Sequence, residues 1–133
     1  MSESNPMQPG RIGWQDLTVR DAETLRDFYA AVVGWTAKPE SMGEYDDYSM
    51  IPAAGGAPAA GICHARGVNA DVPPQWLIYI VVDDVDGSAR RCVDLGGEIV
   101  AGPRMMGGGR FCVIHDPAGA VCALYSPPKE TKE

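Results

Sequence analysis

Asp16 lies in an apolar run from Ile12 to Val19, two residues after Trp14. If it points inside, the indole beside it disfavours the ionised form and suits it to accept a proton as a base; otherwise it is a solvated carboxylate at a strand end. His64 is the second candidate for proton transfer, because an imidazole titrates near neutral pH and His64 closes the apolar segment that starts at Ala57. His115 precedes Asp116-Pro117, where it is expected to border a turn. The hydroxyls of Tyr79 and Tyr125 add polar handles in two further apolar segments. Four cysteines, Cys63, Cys92, Cys112 and Cys122, lack C-x-x-C spacing and sit among apolar residues, so buried reduced thiols are expected rather than zinc ligands or disulfides. The run Met105-Met106-Gly107-Gly108-Gly109-Arg110 is not a phosphate cradle, since a strand follows it where a cradle needs a helix and a Lys-Ser/Thr pair. It reads either as a flexible lid or as an ordinary hairpin connection.

The elements that position these groups come in two copies. Val19, Asp21, Gly34, Ile51, Gly56, Ala57 and Ala60 recur at an offset of 63 residues as Val82, Asp84, Gly97, Ile114, Gly119, Ala120 and Ala123. A fixed period of this length implies one supersecondary unit used twice, with function between the copies. Each half reads strand, helix, three strands. In the first, a strand over 12–19 leads to Asp21 as N-cap, a helix with Ala22, Leu25, Phe28, Tyr29 and Val32 on one face, and Gly34 as its stop. Strands over 35–39, 45–51 and 57–64 follow. In the second, a strand over 76–82 precedes Asp84 as cap, a helix through Val85, Ala89, Cys92 and Val93, and Gly96-Gly97 as its end. Strands over 98–104, 110–115 and 120–125 complete it. Residues 67–74 have the composition of a linker. Residues 1–10 read as a loose arm, 11–125 as a single domain with modules at about 11–66 and 75–125, and 126–133 as a tail.

Composition narrows the function classes. A net charge of −7 repels phosphate backbones and anionic lipid, so no nucleic acid and no membrane surface is expected as partner. The first eleven residues are unlike a secretory signal, and a cytoplasmic location is expected.

The stretches Asp21-Ala22-Glu23-Thr24-Leu25-Arg26-Asp27-Phe28-Tyr29-Ala30-Ala31-Val32-Val33-Gly34-Trp35, Val82-Asp83-Asp84-Val85-Asp86 and Asp116-Pro117-Ala118-Gly119-Ala120, set in a duplicated βαβββ unit, resemble the vicinal oxygen chelate superfamily. That superfamily includes glyoxalase I, ring-cleaving dioxygenases, fosfomycin-modifying enzymes and bleomycin-binding proteins. The resemblance implies an α+β fold of two tandem βαβββ modules, with curved mixed sheets forming a cleft and helices outside. It also implies a homodimer.

In metal-dependent members, the motif offsets and the repeat place ligands at positions that here hold Trp14, Ala60, Leu77 and Ala123. None of these side chains has a lone pair for a divalent ion, so no metal and no other cofactor is expected. If Trp14 faces the cleft, alternation carries Asp16 and Thr18 with it, while Leu17 and Val19 pack on the first helix. Leu77, Tyr79 and Val81 join the cleft, as do Ala60, Ile62, His64, Val121, Ala123 and Tyr125. Such a lining suits a small apolar or aromatic molecule, with Trp14, Asp16, His64, Leu77, Tyr79 and Tyr125 as the ligand-binding set. The resemblance leaves open metal-free binding, a lyase or isomerase using Asp16 or His64, and an enzyme with a displaced metal site.

Overall fold

The structure is a computed structural model that describes Asn5 and residues 7–128. Residues 1–4 and 6 of the expected arm, and residues 129–133 of the expected tail, lie outside the described residues. The chain contains strands β1 (Ile12–Val19), β2 (Thr36–Ser41), β3 (Asp46–Ile51), β4 (Ala60–His64), β5 (Trp76–Val81), β6 (Glu98–Met106), β7 (Gly109–His115) and β8 (Val121–Ser126). Helix α1 (Ala22–Val33) follows β1, helix α2 (Val85–Asp94) follows β5, and a single 3₁₀ turn (Gly67–Asn69) lies in the expected linker. The architecture is therefore α+β, with the strand–helix–three-strand plan appearing twice. No helix among the described residues is long and apolar enough to cross a membrane.

Two compact units divide the chain. The first spans Gln15–Trp76; the second joins the residues up to Trp14 with those from Leu77 onward. In the first unit the strand order is β2-β3-β4-β1, with β4 and β1 parallel and the remaining pairs antiparallel. The second has the equivalent order β6-β7-β8-β5, with β8 and β5 parallel. A parallel pair needs a long return connection, and α1 with its following strands provides one between β1 and β4.

Within the first unit the core contains Ala22, Tyr48, Met50 and Ile62, with Val19, Leu25, Tyr29, Trp35, Ala37 and Trp76 packed against it. Trp35 and Tyr48 thus cover the chain's own core. The Trp76 indole N–H donates to the Tyr29 hydroxyl at 3.0 Å, which satisfies both groups as the rings pack edge to face. Only part of the expected apolar face of α1 is used. Phe28 and Val32 are 52% and 65% exposed, because the helix meets its sheet along the narrower stripe of Ala22, Leu25 and Tyr29. Strand β4 starts at Ala60 rather than at Ala57, since Pro58 has no N–H to give to a ladder. In the second unit Val85, Ala89 and Cys112 form the helix-side core with Val82, Ile99 and Ile114.

The two helix starts differ in chemistry. Asp21 accepts from the Thr24 backbone N–H at 3.2 Å and from its hydroxyl at 2.7 Å, which holds the carboxyl below its usual range. Asp84 occupies the equivalent cap position without a side-chain capping bond among the described residues. Asp21→Ala is therefore expected to lower the denaturant midpoint clearly more than Asp84→Ala, the two read as paired titrations. Equal losses would mean that both caps act only through helix-end charge. At the other end of α1, Gly34 adopts φ 88° and returns its N–H to the Ala30 carbonyl, a conformation that a side chain disfavours.

Candidate functional site

The second unit builds an aromatic surface on the side of its sheet away from α2. In the parallel β5–β8 pair, Tyr79 lies opposite Ala123 and Val81 opposite Tyr125. In the antiparallel β7–β8 pair, Phe111 lies opposite Tyr125 and Val113 opposite Ala123. Cross-strand partners share a face, so Tyr79, Val81, Phe111, Val113, Ala123 and Tyr125 form one surface. Tyr79 stacks on Phe111 with centroids 6.3 Å apart and ring planes at 21°.

Above this surface is a cavity of about 150 Å³ lined by Met7, Gly13, Trp14, Tyr79, Val81, Met106 and Tyr125. The segment before β1 is tied down at this edge, with the Gly10 N–H donating to the Val81 carbonyl at 2.7 Å and the Val81 N–H donating to the Arg11 carbonyl at 2.8 Å. That pairing brings Met7 and Trp14 to the wall. Met106 comes from the β6–β7 hairpin, where Gly107 and Gly108 form a two-residue turn with φ 58° and 87°. The glycine run is thus a tight hairpin connection. Arg110, its guanidinium, is engaged elsewhere, binding Asp86 through two bonds of 2.6 and 3.0 Å. Hydrogen bonding to Arg110 lowers the Asp86 carboxyl pKa and raises that of the guanidinium.

Arg104 reaches the same aromatic surface through an irregularity in β6. The register shifts by one residue between Ile99 and Ala101, and again between Ala101 and Arg104. Each shift reverses the alternation, so Ile99 packs on the α2 side while Ala101 and Arg104 stand opposite Val113 and Phe111. The Arg104 Cζ lies 5.1 Å from the Phe111 ring centroid, within cation–π range.

Of the six residues expected to bind a ligand, Trp14, Tyr79 and Tyr125 meet in the cavity. Leu77 is fully buried on the Tyr79 side of β5 and does not line the cavity. Asp16 and His64 belong to the other unit. There Asp16 lies opposite Gly61 and Val19 opposite His64, so His64 shares the face of Leu17 and Val19, opposite that of Asp16 and Thr18. The expected grouping of Ala60, Ile62 and His64 with Asp16 is therefore corrected: Ala60 lies opposite Met50 and Ile62 opposite Tyr48, both in the core under α1. His64 is held by Asp47, whose Oδ1 accepts the His64 backbone N–H at 2.8 Å and lies 3.3 Å from Nδ1. Its ring packs against Tyr45 and Tyr48. His115 has its Nε2 3.1 Å from a Glu98 carboxylate oxygen.

Asp16 and Thr18 are buried, as is Asp47. Burial, with the nearby Asp16 and Asp47 carboxylates adding to it, pushes the Cys63 thiol pKa up, and burial raises Cys112 to about 11. Both are poor nucleophiles near neutral pH.

The positions that hold a divalent metal in metal-dependent proteins of this architecture do not fit one here. Leu77 and Ala123 are buried side chains without donor atoms, Trp14 offers an indole, and in β4 the register puts Gly61, not the expected Ala60, in the place that Ala123 takes in β8, so no donor stands there either. Among the described residues no three His, Cys, Asp or Glu side chains converge to hold an ion.

Sequence reasoning missed Met7, Met106, Phe111 and Arg104. Alternation from Val113 would have found Phe111. Met7 falls in the expected loose arm and Met106 in the expected connection, and the shifts in β6 leave no periodic signal for Arg104.

The family model for the Glyoxalase/Bleomycin resistance protein/Dioxygenase superfamily matches residues 11–124. The anthracycline biosynthesis protein DnrV of Streptomyces peucetius is 33% identical over 129 residues, covering 88% of this chain and 47% of that protein. CFP32 of Mycobacterium tuberculosis is 31% identical over 121 residues, covering 90% of this chain and 45% of that protein. The chain thus spans about half the length of these curated relatives. Among solved structures, a variant of Streptomyces coelicolor methylmalonyl-CoA epimerase in complex with 2-nitronate-propionyl-CoA superposes with a TM-score of 0.57 at 19% identity, covering 95% of this chain and all of that one. That likeness is one of fold. The match over nearly the whole described chain, on a twice-used βαβββ plan, places this protein in the glyoxalase/bleomycin resistance protein/dioxygenase superfamily, the vicinal oxygen chelate fold.

Proposed function

We propose that this protein binds a small aromatic molecule without a metal ion, with one ring of the ligand in the cavity of the second unit. The observation that carries this reading is the lining itself: an indole, two phenol rings, two thioethers and a valine around about 150 Å³. A space of that size accepts about one benzene-sized ring, so the rest of a larger ligand lies outside it. Stacking and edge contacts with Trp14, Tyr79 and Tyr125 favour planar ligands, and the tyrosine hydroxyls orient them. A relative named for anthracycline biosynthesis, where the compounds are planar and aromatic, supports the same ligand class. A cytoplasmic location and a homodimer belong to this reading, the second as the family resemblance implies.

The test is a thermal-shift panel of planar aromatic compounds, run with and without chelator, on the native chain and on Trp14→Ala. A ligand at about 100 times its Kd should stabilise by about 2.7 kcal/mol, equally with and without chelator. Trp14→Ala should lose most of that stabilisation. A shift that appears only with added zinc, nickel, manganese or iron would reject metal-free binding.

A second reading, a lyase or isomerase that moves a proton through Asp16, is favoured by the burial of that carboxylate on the face it shares with Thr18. It requires that Asp16→Asn abolish turnover in a folded protein. Full turnover by Asp16→Asn would remove it.

A further inference from the structure

We infer that the aromatic ligand carries an anionic group, a carboxylate or an ionised phenol, and that Arg104 is the residue that selects it. This rests on the aromatic-binding reading above and deepens it. Arg104, Phe111, Tyr125 and Val81 are successive cross-strand neighbours on β6, β7, β8 and β5, all on one face. Tyr125, Val81 and Met106 line the cavity, Arg104 stands two residues before Met106 on the same face of β6, and its guanidinium covers the buried Phe111 ring. With strands about 4.8 Å apart, the backbones of Arg104 and Tyr125 are roughly 10 Å apart. The long side chain of Arg104, extended over Phe111, shortens that reach. A ring seated against Tyr125 therefore carries its acidic substituent toward the guanidinium when the two are separated by about one further ring width.

The physical case for an anion has two parts. A guanidinium resting on a phenyl ring is partly desolvated and its charge is poorly screened, which strengthens its attraction for an anion and its repulsion of a cation. Its fork of N–H donors also matches the two oxygens of a carboxylate. The position is specific to a local feature of the fold. Strict alternation from Ala101 would place Pro103 opposite Phe111, and the one-residue shift in β6 turns Arg104 to that position instead.

The experiment compares 2-naphthoate with its neutral amide, which has the same shape, by fluorescence titration of the native chain, Arg104→Met and Arg104→Lys. The native chain should bind the acid about 10- to 100-fold more tightly than the amide, with the ratio falling as salt is raised. Arg104→Met should bring the ratio near one, and Arg104→Lys should restore part of it. Equal binding of acid and amide by the native chain overturns the anion assignment while leaving aromatic binding intact. Preserved discrimination in a folded Arg104→Met overturns the role of Arg104. Binding of neither compound overturns this inference together with the aromatic-binding reading. Should Arg104→Met fail to fold, the acid-to-amide ratio of the native chain and its salt dependence still decide.

Discussion

Phe111→Ala is expected to lower stability by about 3–5 kcal/mol, which in a chain of this length moves the thermal midpoint down by about 10–20 °C. Phe111 is among the largest fully buried side chains, on the central strand of the second unit between β6 and β8. Its ring supports Tyr79 on one side and carries Arg104 on another. Truncation removes the transfer free energy of the ring and leaves a void that the sheet cannot collapse to fill, because Phe111 is laddered to strands on both edges. Against a typical domain stability of 5–15 kcal/mol, this is a large fraction. Phe111→Leu should recover more than half of the loss, since it restores most of the volume but neither the stack nor the cation–π contact. Denaturant titration of the three proteins reads these differences. A loss below 1 kcal/mol for Phe111→Ala would show that the ring covers the site without supporting the fold, and the cavity geometry would need to be redrawn.

The repeat and its punctuation were legible because they depend on local chemistry. Asp21 bonding Thr24, Gly34 in a left-handed conformation and the helix-side run of Val82, Val85 and Ala89 each follow from residue type at short range. The tyrosines and tryptophan of the cavity were legible for a related reason, since β1, β5 and β8 alternate without interruption. What alternation within one strand cannot supply is the register between strands. Asp16 lies opposite Gly61 while Tyr79 lies opposite Ala123, so the offset of 63 residues that holds between β1 and β5 becomes 62 between β4 and β8. One residue reverses the faces of a strand, and this groups Ala60, Ile62 and His64 with Asp16 when they lie on the opposite face, where Ile62 packs in the core under α1. Likewise, two shifts in β6 were needed to turn Arg104 toward Phe111; Gly102-Pro103 inside a strand signals an irregularity, but not the register that follows it. Phe28 and Val32 fit a helical period, but the width of the buried stripe is set by how α1 sits on its sheet, not by its own residues.

Gly109→Ala should be the other severe change, because at this position the difficulty is space rather than backbone conformation. A Cβ built on Gly109 would lie 2.5 Å from the Ser126 carbonyl oxygen, 2.6 Å from the Tyr125 hydroxyl and 2.9 Å from an adjacent ring carbon. Replacing glycine by alanine also restricts the unfolded chain, which alone would stabilise by about 0.4–1 kcal/mol. Overpacking of a fixed backbone costs about 1–3 kcal/mol, so the net effect is a loss of about 1–2 kcal/mol. The flexible part of the clash is the Tyr125 ring, and its escape route is the cavity it lines, so ligand binding should fall together with stability. The companion variant Gly109→Ala with Tyr125→Leu separates the two contributions. It removes the ring contacts but leaves the Ser126 carbonyl, which belongs to the backbone of β8, so stability should stay below that of Tyr125→Leu alone. If the double variant instead matches Tyr125→Leu in stability, the close approach of β7 and β8 is not rigid, and Gly109 serves only to make room for the ring that forms one wall of the site.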